Sequence, residues 1–316
     1  MELASPPTWV ASISSALVGG VAAIALSSEF PLVWDLRTFG VWALMLIIAV
    51  LMQSATNSIN DYKDFMTGLD TTESILDETD ASIVYNEFDP KHARSFAIAL
   101  LFASAVLGLI VVLLSGWPIL VAGLVAACIV VLYSAGPKPI SYLPLGEIVS
   151  GVTMGGIITS ATYYAMTLTF SPFVLTVCVP PIITIGLIMM ANNTCDIQRD
   201  KVAGRRTLPV LLGLDRSMRV ERVLAWANPA YMVVWVAAFD VIFWRSFLLL
   251  AVDAAIALGL YFLLRSSAGL IGDGPYNLVN RRVMMTNITG FCRTVNLAWM
   301  AILLICLVVG SGFFIV

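Results

Sequence analysis

Residues Asn57–Asp70 read NSINDYKDFMTGLD and stand at the end of a segment otherwise fit for a lipid bilayer. Residues Asn192–Asp200, NNTCDIQRD, repeat the pattern at the end of another apolar segment. In the first stretch Asn57 and Asp61 are four apart, as are Asn60 and Asp64, and Asp61 and Asp64 are three apart. In the second, Asn192, Asp196 and Asp200 step by four. Side chains at these spacings share a helix face. Each stretch therefore presents several oxygen ligands in one direction.

The surrounding composition sets the solvent. Of 316 residues 59% are hydrophobic and 12% charged, against about 25% charged in soluble domains. Apolar runs of roughly 20 residues recur, the signature of spanning helices, and the alternation of a membrane barrel is absent. The expected architecture is all-α and integral to the membrane, a single unit over residues 1–316. Nine spans are expected, at about 9–28, 39–58, 94–114, 117–134, 146–167, 172–194, 220–239, 246–264 and 291–315. The N-terminal MELASPPTWV lacks the basic start of a signal peptide, so the first apolar run is expected to remain as a helix.

Nine spans permit a parity test. Connections after spans two, four, six and eight share one side with the N-terminus. Of the 17 Lys and Arg residues, all but Arg37 and Arg245 lie in or beside those connections. That side is cytoplasmic by the positive-inside rule, which places the protein in the plasma (inner) membrane with both acidic stretches facing the cytoplasm. Trp34, Trp117 and Trp244 sit at the opposite ends, as interfacial belt residues or as packing. The matching layout of the two halves suggests an internal duplication.

Composition also excludes chemistries. The five cysteines are scattered without a paired spacing, so neither disulfides nor zinc is indicated. The one histidine, His92, reads as a surface residue, and a His-based metal site or hydrolytic triad is excluded. Asp253, inside the eighth span, is either a functional acid or a hydrogen-bonded packing group. Arg293, near the expected start of the ninth, reads as snorkelling to the interface. Adjacent carboxylates repel in a low-dielectric setting, so something positive must offset them. Oxygen-only ligands suit a hard cation, and Mg²⁺ characteristically joins a few carboxylates to phosphate oxygens. Lys201, Arg205 and Arg206 follow the second stretch and suit the remaining phosphate oxygens. The bland alternative is a pair of solvated helix ends. Two Asn/Asp clusters on one side, at equivalent helix ends, favour the site.

Three motifs carry a family resemblance: NSINDYKDFMTGLD, NNTCDIQRDKVAGRRTLPVLLG, and YSAGPKPISYLPLGE from Tyr133 to Glu147. With these the chain resembles the UbiA superfamily of intramembrane prenyltransferases, and within it the 1,4-dihydroxy-2-naphthoate prenyltransferases of menaquinone synthesis. The resemblance implies nine helices around a central cavity, with Mg²⁺ holding an isoprenyl diphosphate. It implies Asn60, Asp64, Asp196 and Asp200 as metal ligands and Asp61, Lys201 and Arg205 as groups acting at the reacting diphosphate. Asn57, Asn192, Asn193, Tyr133, Lys138, Tyr142 and Arg206 would line the substrates. The implied partners are an isoprenyl diphosphate, an aromatic acceptor and the bilayer, with no nucleic acid. One departure stands out. Relatives often carry an arginine early in the connection from Asp70 to Arg94, whereas here no basic residue occurs between Lys63 and Lys91. A terpene cyclase of the same superfamily, which needs no acceptor, is the second reading. A transporter is disfavoured because the acids sit at helix ends on one side and not at midplane breaks.

Overall fold

The computed structural model describes residues 2–26, 35–70, 82–242, 248–269 and 271–311. Expectations for Trp34, Trp244, Arg245, residues 71–81 of the acidic connection and the Asp253 side chain fall outside the described residues. Among the described residues the regular structure is entirely helical. The principal helices are α1 Trp9–Leu26, α2 Leu36–Met66, α3 Pro90–Ser115, α4 Trp117–Ser134, α5 Ile158–Thr167, α6 Val179–Cys195, α7 Ile197–Val202, α8 Leu214–Ile242, α9 Leu248–Ala268 and α10 Arg281–Ser311.

Among the described residues six helices are long and apolar enough to cross a membrane: α1, α2, α3, α4, α6 with its preceding turn, and α10. The other three expected spans differ for local reasons. The run at 146–167 is a short helix Gly146–Ser150, a π-helical turn Gly151–Ile157 and then α5. The span expected at 220–239 lies within α8, which carries Pro229 internally, and the described part of that at 246–264, from Leu248 on, lies within α9. The last helix begins at Arg281, well before the expected start near 291. Arg293 is therefore roughly three turns into it, and its side chain is exposed.

Burial ranks the helices. In α1 61% of the apolar window is buried and in α6 56%, against 17% in both α3 and α4. The first pair is central and the second peripheral. Phe102, Leu109 and Leu113 of α3 and Leu120 and Leu124 of α4 are exposed, the pattern of a lipid-facing surface. Lipid is as apolar as these side chains, so association rests on close packing and polar links. Both are present. A Cβ on Gly151 would stand 2.7 Å from the Ile182 carbonyl oxygen, and one on Gly155 2.5 Å from the Ile182 nitrogen. These glycines, four apart, let the π turn press against α6. Asn296 of α10 donates to Ser14 of α1 (3.1 Å) and Thr184 of α6 (3.2 Å), joining three helices through buried groups. A cavity of about 320 Å³ lies between α1 and α2, lined by Ile13, Leu46, Ile47, Val50 and Leu51. All five cysteines are free, with only Cys128 exposed, and His92 is exposed.

Candidate active site

Helix length explains how polar groups end up beside an apolar bundle. The 31 residues of α2 span about 46 Å at 1.5 Å per residue, against a hydrocarbon core of about 30 Å. The last turns, carrying Asn57 to Asp64, thus run beyond the core. They end in a left-handed glycine, Gly68 at φ 71°, and the Leu69 amide donates back to the Asp64 carbonyl at 2.9 Å. The second stretch ends the same way. Gly204 also has φ 71°, and the Arg205 amide donates to the Asp200 carbonyl at 2.8 Å. Both are Schellman turns, which need a residue without a Cβ penalty. The aspartate sits four residues before the glycine in each, so the expected duplication has a structural counterpart here.

The turn after Gly204 throws Arg205 back over the clusters. Its guanidinium donates to Asp64, lies 3.8 Å from Asp200 and stacks 4.8 Å from the centre of the Tyr142 ring. The two halves therefore meet at Asp64, Arg205 and Asp200. Asn60 donates to Asp64 (3.1 Å) and accepts from Ser134 (3.1 Å), while Thr207 donates to Asp200 (3.2 Å). Beside them Arg199 donates to Asp70. The charge balance is tight. Burial, aided by the Asp196 charge, pushes the Asp200 carboxyl up to about 6 against the pull of Arg205. Burial and the Asp64 charge raise Asp70 to about 6, opposed by Arg199. Burial works against the Arg205 cation, yet the Asp64 and Asp200 carboxylates outweigh it and raise its pKa.

The second cluster extends through Asn192 and Asn193. The helix breaks at Asp196, between α6 and α7, but Asp196 N–H to Asn192 (3.2 Å) and Asp200 N–H to Asp196 (2.8 Å) carry the four-residue step across it. Asn193 donates to Glu147 at 2.8 Å. Arg281, the first residue of α10, donates to Asn192 through Nε (3.2 Å) and Nη2 (2.7 Å) and lies 3.5 Å from Asp196. Thr194 donates to the fully buried Glu221 at 2.7 Å.

Of the residues singled out from sequence, the fold gathers Asn60, Asp64, Asp196, Asp200, Asn192, Asn193, Arg205 and Tyr142. Tyr133 is partly buried, its hydroxyl 3.4 Å from where a Cβ of Gly146 would stand. Asp61 is half-buried. The others are placed differently. Asn57 donates to Thr8 (2.8 Å) and the Ala4 carbonyl (3.3 Å), so it holds the N-terminal segment. Lys138, Lys201 and Arg206 are exposed, and the Arg206 backbone N–H donates to the Tyr142 carbonyl (2.9 Å). Arg199, Arg281, Glu147 and Ser134 were not singled out. Charge alone flagged the two arginines as cytoplasmic, and nothing in their spacing set them apart.

Four buried polar atoms at the site matter most. Asp196 Oδ1 and Glu147 Oε2 are acceptors without a hydrogen-bond partner, and the Nε groups of Arg199 and Arg205 are donors without one. Such groups carry a desolvation cost that a ligand removes. Among the described residues, no three acidic, His or Cys side chains are grouped as a metal cage, because guanidinium groups lie against the carboxylates. The donor set itself, carboxylate and amide oxygens with Asp196 Oδ1 still unpartnered, fits a hard divalent cation.

An all-helical protein with crossing-length apolar helices, whose two acidic helix ends are bridged by arginine, defines a class of membrane-embedded site for an anion and its counter-cation. Residues 12–270 match the UbiA prenyltransferase family, and the chain belongs to that family; it is a prenyltransferase. It is 34% identical over 235 residues to the 1,4-dihydroxy-2-naphthoate octaprenyltransferase of Bacillus subtilis, covering 74% of this chain and 71% of that one. The Haemophilus influenzae protein of the same name is 28% identical over 66% of this chain and 68% of its own. In fold, the chain resembles a UbiA homolog from Archaeoglobus fulgidus bound to DMAPP and Mg²⁺, with a TM-score of 0.59, 15% identity and coverage of 95% and 98%. A digeranylgeranylglyceryl phosphate synthase gives 0.55 at 17% identity, with 95% and 98% covered. These two likenesses establish the fold.

Proposed function

We propose that the protein transfers an isoprenyl chain from an allylic diphosphate to an aromatic quinone precursor such as 1,4-dihydroxy-2-naphthoate, in a Mg²⁺-dependent reaction. The observation that carries this reading is the presence of unpartnered buried atoms of both kinds in the two clusters: the Asp196 acceptor and the Arg199 and Arg205 donors. A cation alone leaves the donors unmet, and an anion alone leaves the acceptor unmet. A metal diphosphate meets both. The naphthoate prenyltransferases among the relatives support the acceptor class, and the homolog bound to DMAPP and Mg²⁺ supports the donor.

Asn60, Asp64, Asp196 and Asp200 would hold the metal, which when bound supplies positive charge against the departing diphosphate. Arg205 and Arg199 donate to diphosphate oxygens and stabilise the charge that develops as the allylic C–O bond breaks, its electron pair leaving with the diphosphate. The apolar helix faces, with the cavity along the same α2 that ends in Asp64, take the isoprenyl tail and keep water from the allylic cation. The electron-rich ring then forms the new C–C bond at the cation and regains aromaticity as the attacked carbon sheds its proton, or its carboxylate as CO₂, the bonding electron pair returning to the ring. Tyr142, stacked against Arg205, would stand beside the diphosphate. The membrane arrangement proposed is nine helices around a central cavity, one unit over 1–316, in the plasma membrane with the site on the cytoplasmic side.

The purified protein in detergent is given Mg²⁺ and geranyl diphosphate, with and without 1,4-dihydroxy-2-naphthoate. Prenylated naphthoate is expected only when both are present, and chelation of Mg²⁺ is expected to abolish it. A terpene released without acceptor would replace this reading with the cyclase, and no diphosphate release under any condition would refute both.

A further inference from the structure

We propose that Arg281 is a diphosphate-binding residue contributed by the last helix, turning from Asp196 to phosphate oxygens when the acidic cluster takes up metal. This rests on the diphosphate reading above and adds a residue outside the segment matching the family, which ends at residue 270. The first half of the site is short of cations, because no basic residue occurs between Lys63 and Lys91. Lys201 and Arg206, beside the second cluster, are exposed. Arg281 instead has its side chain only 13% exposed, at the cluster itself.

Two of its neighbours hold the guanidinium unequally, one firmly and one loosely. Asn192 accepts from both Nε (3.2 Å) and Nη2 (2.7 Å), a two-pronged grip from a neutral amide. Asn192 in turn donates to Asn193 (3.5 Å), and Asn193 to the buried Glu147 (2.8 Å). Asp196 is reached only at 3.5 Å, too long for a strong hydrogen bond. A carboxylate engaged by metal no longer competes for the guanidinium. The amide grip remains, and it keeps the planar fork aimed beside the cluster, where phosphate oxygens sit.

The test reads binding as well as turnover. Wild type, R281Q and R281K, purified in detergent, are titrated calorimetrically with inorganic pyrophosphate in saturating Mg²⁺, and by spin resonance with Mn²⁺ alone. R281Q is expected to bind Mg²⁺-pyrophosphate about ten- to a hundredfold more weakly, the scale of lost hydrogen bonds to a charged group. R281K, with its charge but no fork, is expected to fall between. Mn²⁺ alone is expected to bind R281Q at least as tightly as wild type, because Asp196 is relieved of a cation. Equal loss of Mn²⁺ and pyrophosphate binding would make Arg281 a clamp on the cluster and overturn the proposal. So would unchanged pyrophosphate affinity in R281Q, or in R281K should R281Q not fold. A wild type that binds no Mg²⁺-pyrophosphate would refute the site reading itself.

Discussion

Arg205 answers Asp64 from one half of the chain and Asp200 from the other, and its own backbone explains how. The left-handed Gly204 reverses the chain, so the next residue points back across the helix end it has just left. A lysine there retains one charge but cannot fork between two carboxylates while stacking on Tyr142. Arg205→Lys is expected to lower kcat/KM about ten- to a hundredfold, by the worth of one charged hydrogen bond, measured by naphthoate prenylation. Asn57 behaves differently. The four-residue spacing groups it with Asp61, but spacing gives a shared face and not the direction that face points. Because Asn57 grips Thr8 and Ala4, Asn57→Ala is expected to cost about 1 kcal/mol of stability and leave KM for the diphosphate unchanged. A raised KM with an unaltered melting curve would return it to the substrate. Asn60, Asp64, Asp196 and Asp200 were legible because oxygen-rich side chains repeat at helical spacing after apolar runs. Arg281 was not, since a basic residue far along the chain is the ordinary product of membrane orientation.

At the scale of elements, the contact between the π turn and α6 places Glu147 against Asn193. Gly151 and Gly155 set that approach, and their positions were visible in sequence only as two small residues in an apolar run. The π turn could not be read there, because its hydrogen bonding reflects packing on Ile182 and not propensity. A side chain at 155 would enter the α6 backbone. Gly155→Val is therefore expected to destabilise the protein by about 1–3 kcal/mol, the usual range for overpacking, read as a lower melting temperature in detergent. It is also expected to lower turnover by displacing Asn192 and Asn193. A variant that melts like wild type would show that the contact is looser than the glycines imply. The late start expected for the final helix has a related cause. Residues 281–290 are polar enough to look like a connection, yet the helix there is paired with the cluster through Arg281.

For the whole molecule, the ends of the helices sort into two groups. Arg37, at the start of α2, donates to the carbonyls of Leu114 (3.2 Å), Ala165 (2.8 Å) and Met166 (3.2 Å), and to the Ser115 hydroxyl (3.2 Å). It thus caps the C-terminal ends of α3 and α5, where a cation complements the helix dipole. At the other end α2, α4, α6 and α10 meet through Asn60, Ser134, Asn192 and Arg281. Alternating spans require these two groupings, and in the proposed arrangement the second is the cytoplasmic one. Trp117, 73% exposed and one residue beyond the α3–α4 turn, belongs to the first group, and the exposed Lys138 to the second. The native cysteines give little background, because four are buried and Cys128 lies on lipid-facing α4. Lys138→Cys is expected to react with a membrane-impermeant maleimide in inverted vesicles only, and Trp117→Cys in right-side-out vesicles only. Both variants labelling from the same side would break the alternation, and with it the placement of the acidic clusters on the cytoplasmic face.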